Sequence, residues 1–436
     1  MLQDAEFEQQ VERNLPWNFS VNLLDIVFYT LGTNIVARQT IMPLLISQLT
    51  PSKLAVGLIP AIDSMGFLLP QLLMANYTEK LRRKLPFIMA ISSVFERGPY
   101  LAIGLVIWWL ATRAPQMTAV LLLLLLAVST FSAGITVPAW YDLIAKVIPA
   151  NRRGIWSGLG FGLGALLGVA GAALAGRILV EWPFPDNFAI CFILGFAALT
   201  ISWIGLALNR EPDSPTVKSG TTFSAYVRQL PAILRRDSNY LRFLVARSVH
   251  SLGTMAIGFY VVYGSERWGL SGEEVGILTA ILTGSQAVLN VLWGLLGDRR
   301  GHKIVLCAGS ASVALAALVA LLAPSPAGLW LTFALVGSAG ATANVSSLNI
   351  ILEFCTPEDR PTYIGLTNTL LAPVAVLSPL IGGALATLAG YQGLFATAAV
   401  CGALAAMTMA FWVHEPRQVA STHVQVASVT PPGDGL

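Results

Sequence analysis

Stretches of about twenty apolar residues, the length an α-helix needs to cross a bilayer, recur along this chain with short polar breaks between them. Nothing else in the sequence restricts the fold so strongly. In hydrocarbon every backbone amide must find its partner inside the protein, so such runs fold as membrane-spanning helices. Read with that ruler, spans fall near 21–46, 55–75, 85–111, 117–146, 155–178 and 188–208. A polar stretch from Asn209 to Asn239 follows, and then six more spans near 241–264, 273–296, 304–323, 328–353, 362–388 and 392–413. The expected fold is an all-α membrane protein of twelve transmembrane helices in two pseudo-symmetric six-helix bundles. The expected division is a cytoplasmic N-terminal segment (1–20), a first bundle (21–208), a cytoplasmic linker (209–240), a second bundle (241–414) and a disordered cytoplasmic tail (415–436).

Composition agrees. Of the 436 residues 55% are hydrophobic and 11% charged, against roughly 25% charged in a soluble domain. The start, "MLQDAEFEQQVERNLPWNFS", is acidic and lacks the basic opening and short apolar core of a cleaved signal peptide. The first apolar segment therefore reads as an uncleaved helix. Cys191, Cys307, Cys355 and Cys401 stand apart from one another, which indicates no disulfide or metal framework.

Charge is distributed unevenly. With both ends placed in the cytoplasm, the inward loops hold seventeen Lys and Arg residues from Lys80 to Arg360, and the outward loops hold Lys53, Arg113, Arg177 and Arg267. This is the positive-inside pattern, and it orients the chain. The halves also resemble each other. "VGLIPAIDSMG" at Val56 aligns without gaps to "VGILTAILTGS" at Val275, placing Glu79 on Asp298, Lys80 on Arg299 and Lys84 on Lys303. "LGT" occurs at Leu31 and at Leu252, while "PANRRG" at Pro149 and "PEDRP" at Pro357 hold the same place after the fourth helix of each half. Internal repetition is a mark of many secondary transporters, and here both copies start on the same side.

The most specific motif is Gly294-Leu-Leu-Gly297-Asp298-Arg299-Arg300-Gly301-His302-Lys303. It resembles the G-x-x-x-D-R-x-G-R-K loop of the major facilitator superfamily, with His302 in place of a basic residue. The resemblance extends over almost the whole chain. It implies a cytoplasmic latch built from Gly294, Gly297, Asp298, Arg299, Gly301 and Lys303 that stabilises one state of an alternating-access cycle. The first copy, Thr78 to Lys84, has lost the glycines. Antiporters of this superfamily often carry a G-P-x-x-G-G type motif in the fifth helix. Here that helix keeps the glycines without the proline, and "SPLIGG" at Ser378–Gly383 holds a P-x-x-G-G fragment in the repeat-related eleventh helix.

Ionisable residues inside a span default to a functional hypothesis. The resemblance puts helices 1, 4, 7 and 10 around a central cavity, with helices 3, 6, 9 and 12 outside. On helix 1, Asp25, Tyr29 and Thr33 step by four and share a face, with Arg38 beyond them. They either face a pathway or tie helices together. Asp63 on helix 2 is a candidate proton carrier or the ion-pair partner of Arg38 or Arg97. Trp140 and Asp142 on helix 4, Arg247 and His250 on helix 7, and Gln286, Asn290, Asn344, Asn349 and Asn368 on later helices complete the pathway candidates. Glu96 and Arg97, adjacent on helix 3, are expected to form a structural charge network. Neighbouring helical residues point about 100° apart, so each should reach a different partner, Arg38 and Asp63 being the nearest choices.

The chain carries no H-E-x-x-H, G-x-S-x-G or P-loop sequence. The expectation is a non-enzymatic, cofactor-free secondary transporter of a small molecule, working by a rocker-switch and coupled to protons as an exporter. The alternatives are an uptake porter for a polar or anionic nutrient and a non-transporting scaffold or sensor. A monomer in a bacterial inner membrane, without nucleic-acid partners, completes the reading.

Overall fold

Every regular element is helical among the described residues, which are 2–78, 81–213, 234, 237–355 and 360–416 of this computed structural model. The first half comprises α1 (Leu2–Ile35), α2 (Ile41–Leu49), α3 (Lys53–Thr78), α4 (Leu85–Ile91), a π-helical turn (Ser92–Arg97), α5 (Gly98–Leu110), α6 (Pro115–Val147), α7 (Ala150–Glu181) and α8 (Asp186–Ala207). The second half comprises α9 (Ser238–Gly253), a 3₁₀ turn (Thr254–Phe259), α10 (Tyr260–Trp268), α11 (Gly272–Arg300), α12 (His302–Leu322), α13 (Ala327–Glu353), α14 (Arg360–Leu388) and α15 (Gly390–Met407).

Among the described residues, ten helices are long and apolar enough to cross a membrane, and they correspond to expected spans 2–6 and 8–12. Neither remaining span is one continuous apolar helix. The first is broken after Ile35, where the amides of Thr40, Ile41 and Met42 all turn back to the Ala37 carbonyl. The seventh is α9 and α10 joined through the 3₁₀ turn. Residues 2–20, ahead of the first expected span, are helical and continuous with it in α1.

The halves repeat their internal pairings. In the first, α1 packs on α7 and α8, α3 on α6, and α5 on α8; in the second, α9 packs on α14 and α15, α11 on α13, and α12 on α15. Between halves the main contacts are α3 with α14 and α7 with α11. Small residues allow these approaches, as is usual for helices packed in lipid. A Cβ on Gly57 would sit 2.4 Å from the Pro379 carbonyl, and one on Gly276 would sit 2.7 Å from Gly176 Cα. These crossings lie at one end of the bundle, called here the far face. The described chain ends lie at the other, near face.

At the near face the first half is clasped by Glu211, which the sequence reading passed over. Its carboxylate accepts from the Lys84 amide at 2.8 and 3.0 Å, the Leu85 amide at 2.9 Å and Lys146 Nζ at 2.9 Å. It thereby meets amides at the start of α4 that have no intrahelical acceptor. The dipeptide Glu-Pro recurs at Glu415–Pro416 after the last helix of the second half, and that repeat was the available signal. Gly301, at φ +90°, leaves room there for the Glu415 carboxylate, since a Cβ would lie 2.4 Å from it.

Candidate functional site

A cavity of about 410 Å³ lies between the halves, lined by α1, α3, α7, α11, α13 and the break that follows α1. It is closed towards the far face, where the Thr40 and Thr279 hydroxyls share a hydrogen bond of 2.6 Å. Slightly deeper, the Thr283 hydroxyl donates to Asn34 Oδ1 at 2.6 Å, and Asn34 Nδ2 donates to the Thr30 carbonyl at 2.9 Å. From there the cavity continues towards the near face past Gln286, Asn290, Asn344 and Phe161. Asn344 is exposed, and Phe161 is 60% exposed. Phe161, Ala165, Leu282 and Ala287 supply its apolar parts. The Asn290 carbonyl oxygen is buried with no hydrogen-bond partner among the described residues.

The glycines of α7 place this helix. A Cβ on Gly160, Gly164 or Gly168 would meet Ile26, Thr30 or Asn34 at 2.6, 3.0 or 2.9 Å, so the stripe lets α7 lie directly against α1. The break after α1 places Arg38. Released from the helix, its guanidinium donates to Asp63 Oδ1 at 2.9 Å and to the Tyr100 hydroxyl. Both members of this pair line the cavity and are about a quarter exposed, at 26% and 27%.

A second charge cluster lies off the cavity, inside the first half. Arg97 Nη1 is 3.4 Å from Glu96 Oε2, and Arg97 Nη2 is 3.9 Å from Asp25 Oδ1. Asp25 also accepts from the Ser202 hydroxyl at 2.6 Å and from Trp140 Nε1 at 3.2 Å. This corrects the expected partners of Glu96 and Arg97, because Arg38 and Asp63 pair with each other. The argument from 100° separation also fails locally. The chain winds as a π-helical turn at Ser92–Arg97, and the long Arg97 side chain folds back towards its neighbour.

The structure therefore brings Tyr29, Thr33, Arg38, Asp63, Gln286, Asn290 and Asn344 to one cavity. The other pathway candidates are absent from its lining. Asp25 and Trp140 belong to the buried cluster. Asp142 pairs with Lys84 Nζ at 3.0 Å and is 53% exposed at the near face. His250 Nδ1 turns outward to Ser310 on α12 at 2.9 Å, and Arg247 donates to Ser347 on α13 at 3.2 Å. Asn349 donates to the Val345 carbonyl of its own helix, and Asn368 on α14 does not line the cavity. Expected helices 4 and 7 thus contribute no lining residue, and expected helices 2, 5 and 8 do. The sequence reading missed Asn34, Thr40, Thr279 and Thr283, whose one signal is their position on the same face as, or next to, residues it selected.

Around the expected latch, Gly294, Gly297, Asp298 and Arg299 form the last turns of α11, and Gly301 ends the helix. The Asp298 side chain, Glu79, Lys80 and residues 356–359 lie outside what is described. Lys303 Nζ donates to the Ala410 carbonyl at 2.8 Å, and His302 Nδ1 shares a hydrogen bond of 3.0 Å with the Ser346 hydroxyl. These contacts all stay within the second half.

Residues 243–431 match the family model described as Major Facilitator Superfamily. A protein described as an uncharacterized MFS-type transporter, MJ1317 of Methanocaldococcus jannaschii, is 23% identical over 79% of this chain and 82% of its own length. The inner membrane transport protein YajR of Escherichia coli is 33% identical over 41% of this chain and 38% of its own length. The crystal structure of a variant of the nucleoside transporter NupG superposes with a TM-score of 0.69 at 12% identity, covering 90% of this chain and 99% of that one. At that identity the likeness is one of fold.

Proposed function

We propose that the chain is a member of the Major Facilitator Superfamily, whose family model matches residues 243–431, and on that premise that it is a secondary transporter carrying a small solute through the cavity between its halves by alternating access. The carrying observation is that cavity, shut at the far face by Thr40 and Thr279 and continuing past Asn290 and Asn344 towards the near face. The loop Lys and Arg asymmetry makes the near face cytoplasmic, so this conformation is the inward-open one. The same rule puts both termini in the cytoplasm, and a bacterial inner membrane fits that reading.

The lining favours a solute class. Asn34, Gln286, Asn290 and Asn344 offer amide groups, Phe161 and Leu282 offer an apolar wall, and the Arg38 charge is met by Asp63. A neutral, amphipathic molecule with hydrogen-bond donors fits better than an anion, which would have to displace Asp63 from Arg38. A proton gradient is the driving force we assign, because the first half holds carboxylates within its interior that can take up and release a proton.

The test is a thermal-stability screen of purified protein against neutral, anionic and cationic small molecules. Stabilising compounds are then assayed in liposomes with an internal pH dye. A neutral compound should raise the Tm and move with a pH change, and Asn290→Leu should remove both effects. The gradient direction that drives accumulation identifies import or export. If no compound of any class stabilises the protein or crosses the bilayer, the scaffold reading replaces this one.

A further inference from the structure

The interior of the first half holds three carboxylates, Asp25, Asp63 and Glu96, and two guanidiniums, Arg38 and Arg97. Arg38 and Asp63 form one neutral pair at the cavity wall. Arg97 is left with two carboxylates, and the three side chains are 5%, 5% and 10% exposed for Arg97, Asp25 and Glu96. Two carboxylates beside one cation in a low-dielectric site do not both stay ionised, because the second charge is opposed by desolvation and by its neighbour.

Hydrogen bonding distinguishes the two acids. Asp25 receives a short bond from Ser202 and another from Trp140, whose indole can only donate. Among the described residues Glu96 receives the Thr136 hydroxyl alone, at 3.5 Å, and that hydroxyl also lies 3.2 Å from the Ser132 carbonyl and 3.1 Å from the Ala133 carbonyl. Arg97 lies 3.4 Å from Glu96 Oε2 through Nη1 but also donates to other acceptors: Nε to the Leu199 carbonyl, Nη1 to the Ser92 carbonyl and Nη2 to Ser202 Oγ. The charged groups facing Glu96 are Arg97, Asp25 and Arg38, with Tyr29 and Tyr100 as the nearby titratable rings. The turn itself is π-helical, a geometry frequent at functional sites, and its Ser92 hydroxyl is buried without a partner among the described residues.

We propose that Glu96, held beside Arg97 and off the solute cavity, is a proton-binding site of this protein and carries the proton in this conformation, while Asp25 stays ionised. Tyr29 links the site to the cavity. Its ring lines the cavity and lies 5.9 Å from the Arg97 guanidinium carbon. When Glu96 loses its proton it competes with Asp25 for Arg97, and the shift of that cation is felt at Tyr29. The use of the proton in coupling rests on the transporter reading, but the protonation itself does not.

The experiment is infrared spectroscopy of the purified full chain in detergent at neutral pH, without solute. A carboxylic-acid C=O band should be present. It should move when the protein is labelled with ¹³C-carboxyl glutamate and stay when it is labelled with aspartate. It should vanish in Glu96→Gln and return, displaced, in Glu96→Asp. Absence of the band in the unsubstituted protein overturns the proposal. So does a band that follows the aspartate label, or one that survives Glu96→Gln. The label confines the band to glutamate, and if Glu96→Gln fails to fold, Glu96→Asp assigns it: in that variant the band should follow the aspartate label, and a band that still follows glutamate overturns the proposal. Because no solute is used, a failed transport assay and a failed protonation assay are separate results.

Discussion

At the scale of the residue, Arg97 ties several parts of the first half together. One guanidinium meets Asp25, Glu96, Ser202 and the carbonyls of Ser92 and Leu199. Removing one partner of a buried ionic group leaves its charges uncompensated, at a cost of about 3–5 kcal/mol. Arg97→Met should therefore lower the thermal stability of the purified protein strongly. Arg38→Met should lower it less, because Arg38 and Asp63 are 26% and 27% exposed and water meets part of the loss. Equal melting curves for the two variants would contradict this ranking. All five of these charges were visible in the sequence, since a charge inside an apolar run is conspicuous. Their partners were not. Pairing depends on a local π turn and a break after α1, and neither leaves a mark in hydrophobic periodicity. Ser202 and Tyr100 escaped notice for a related reason, because an uncharged polar residue in a span is ordinary until a charge is known to face it.

At the scale of the element, the ten continuous spans were legible from length and apolarity alone, whereas the breaks in the first and seventh were not. Both breaks fall where the chain must leave helical geometry to serve a neighbour. The first frees Arg38, and the 3₁₀ turn at Thr254–Phe259 passes beside the α3–α14 crossing, where a Cβ on Gly382 would lie 2.6 Å from the Met255 carbonyl. Discontinuous helices of this kind are common at transporter binding sites. The crossing of α7 and α11 depends on Gly176 and Gly276, whose backbones touch. Gly276→Leu should force these helices apart and open the far face. A single cysteine at Thr40 in a background lacking the four native cysteines should then react faster with a membrane-impermeant thiol reagent. An unchanged rate would show that the crossing does not hold this face shut.

At the scale of the whole molecule, the two-fold repetition read from the sequence reappears as matching helix pairings in the two halves. The state of the molecule was not legible, because which ends of the halves touch is a property of their relative tilt. If far-face closure belongs to a cycle, the double variant Thr40→Cys/Thr279→Cys, whose parent hydroxyls are 2.6 Å apart, should cross-link on mild oxidation. The cross-linked protein should stop carrying solute and recover on reduction. Failure to cross-link would mean that the far face is rarely closed in the membrane. The Glu211 clasp bears on how such a cycle can be driven. A single carboxylate joins the stretch after α8 to the start of α4 and the end of α6, so the inner rim of the first bundle behaves as a riveted plate. If the halves move against each other, the bending is expected at the two helix breaks rather than within that plate.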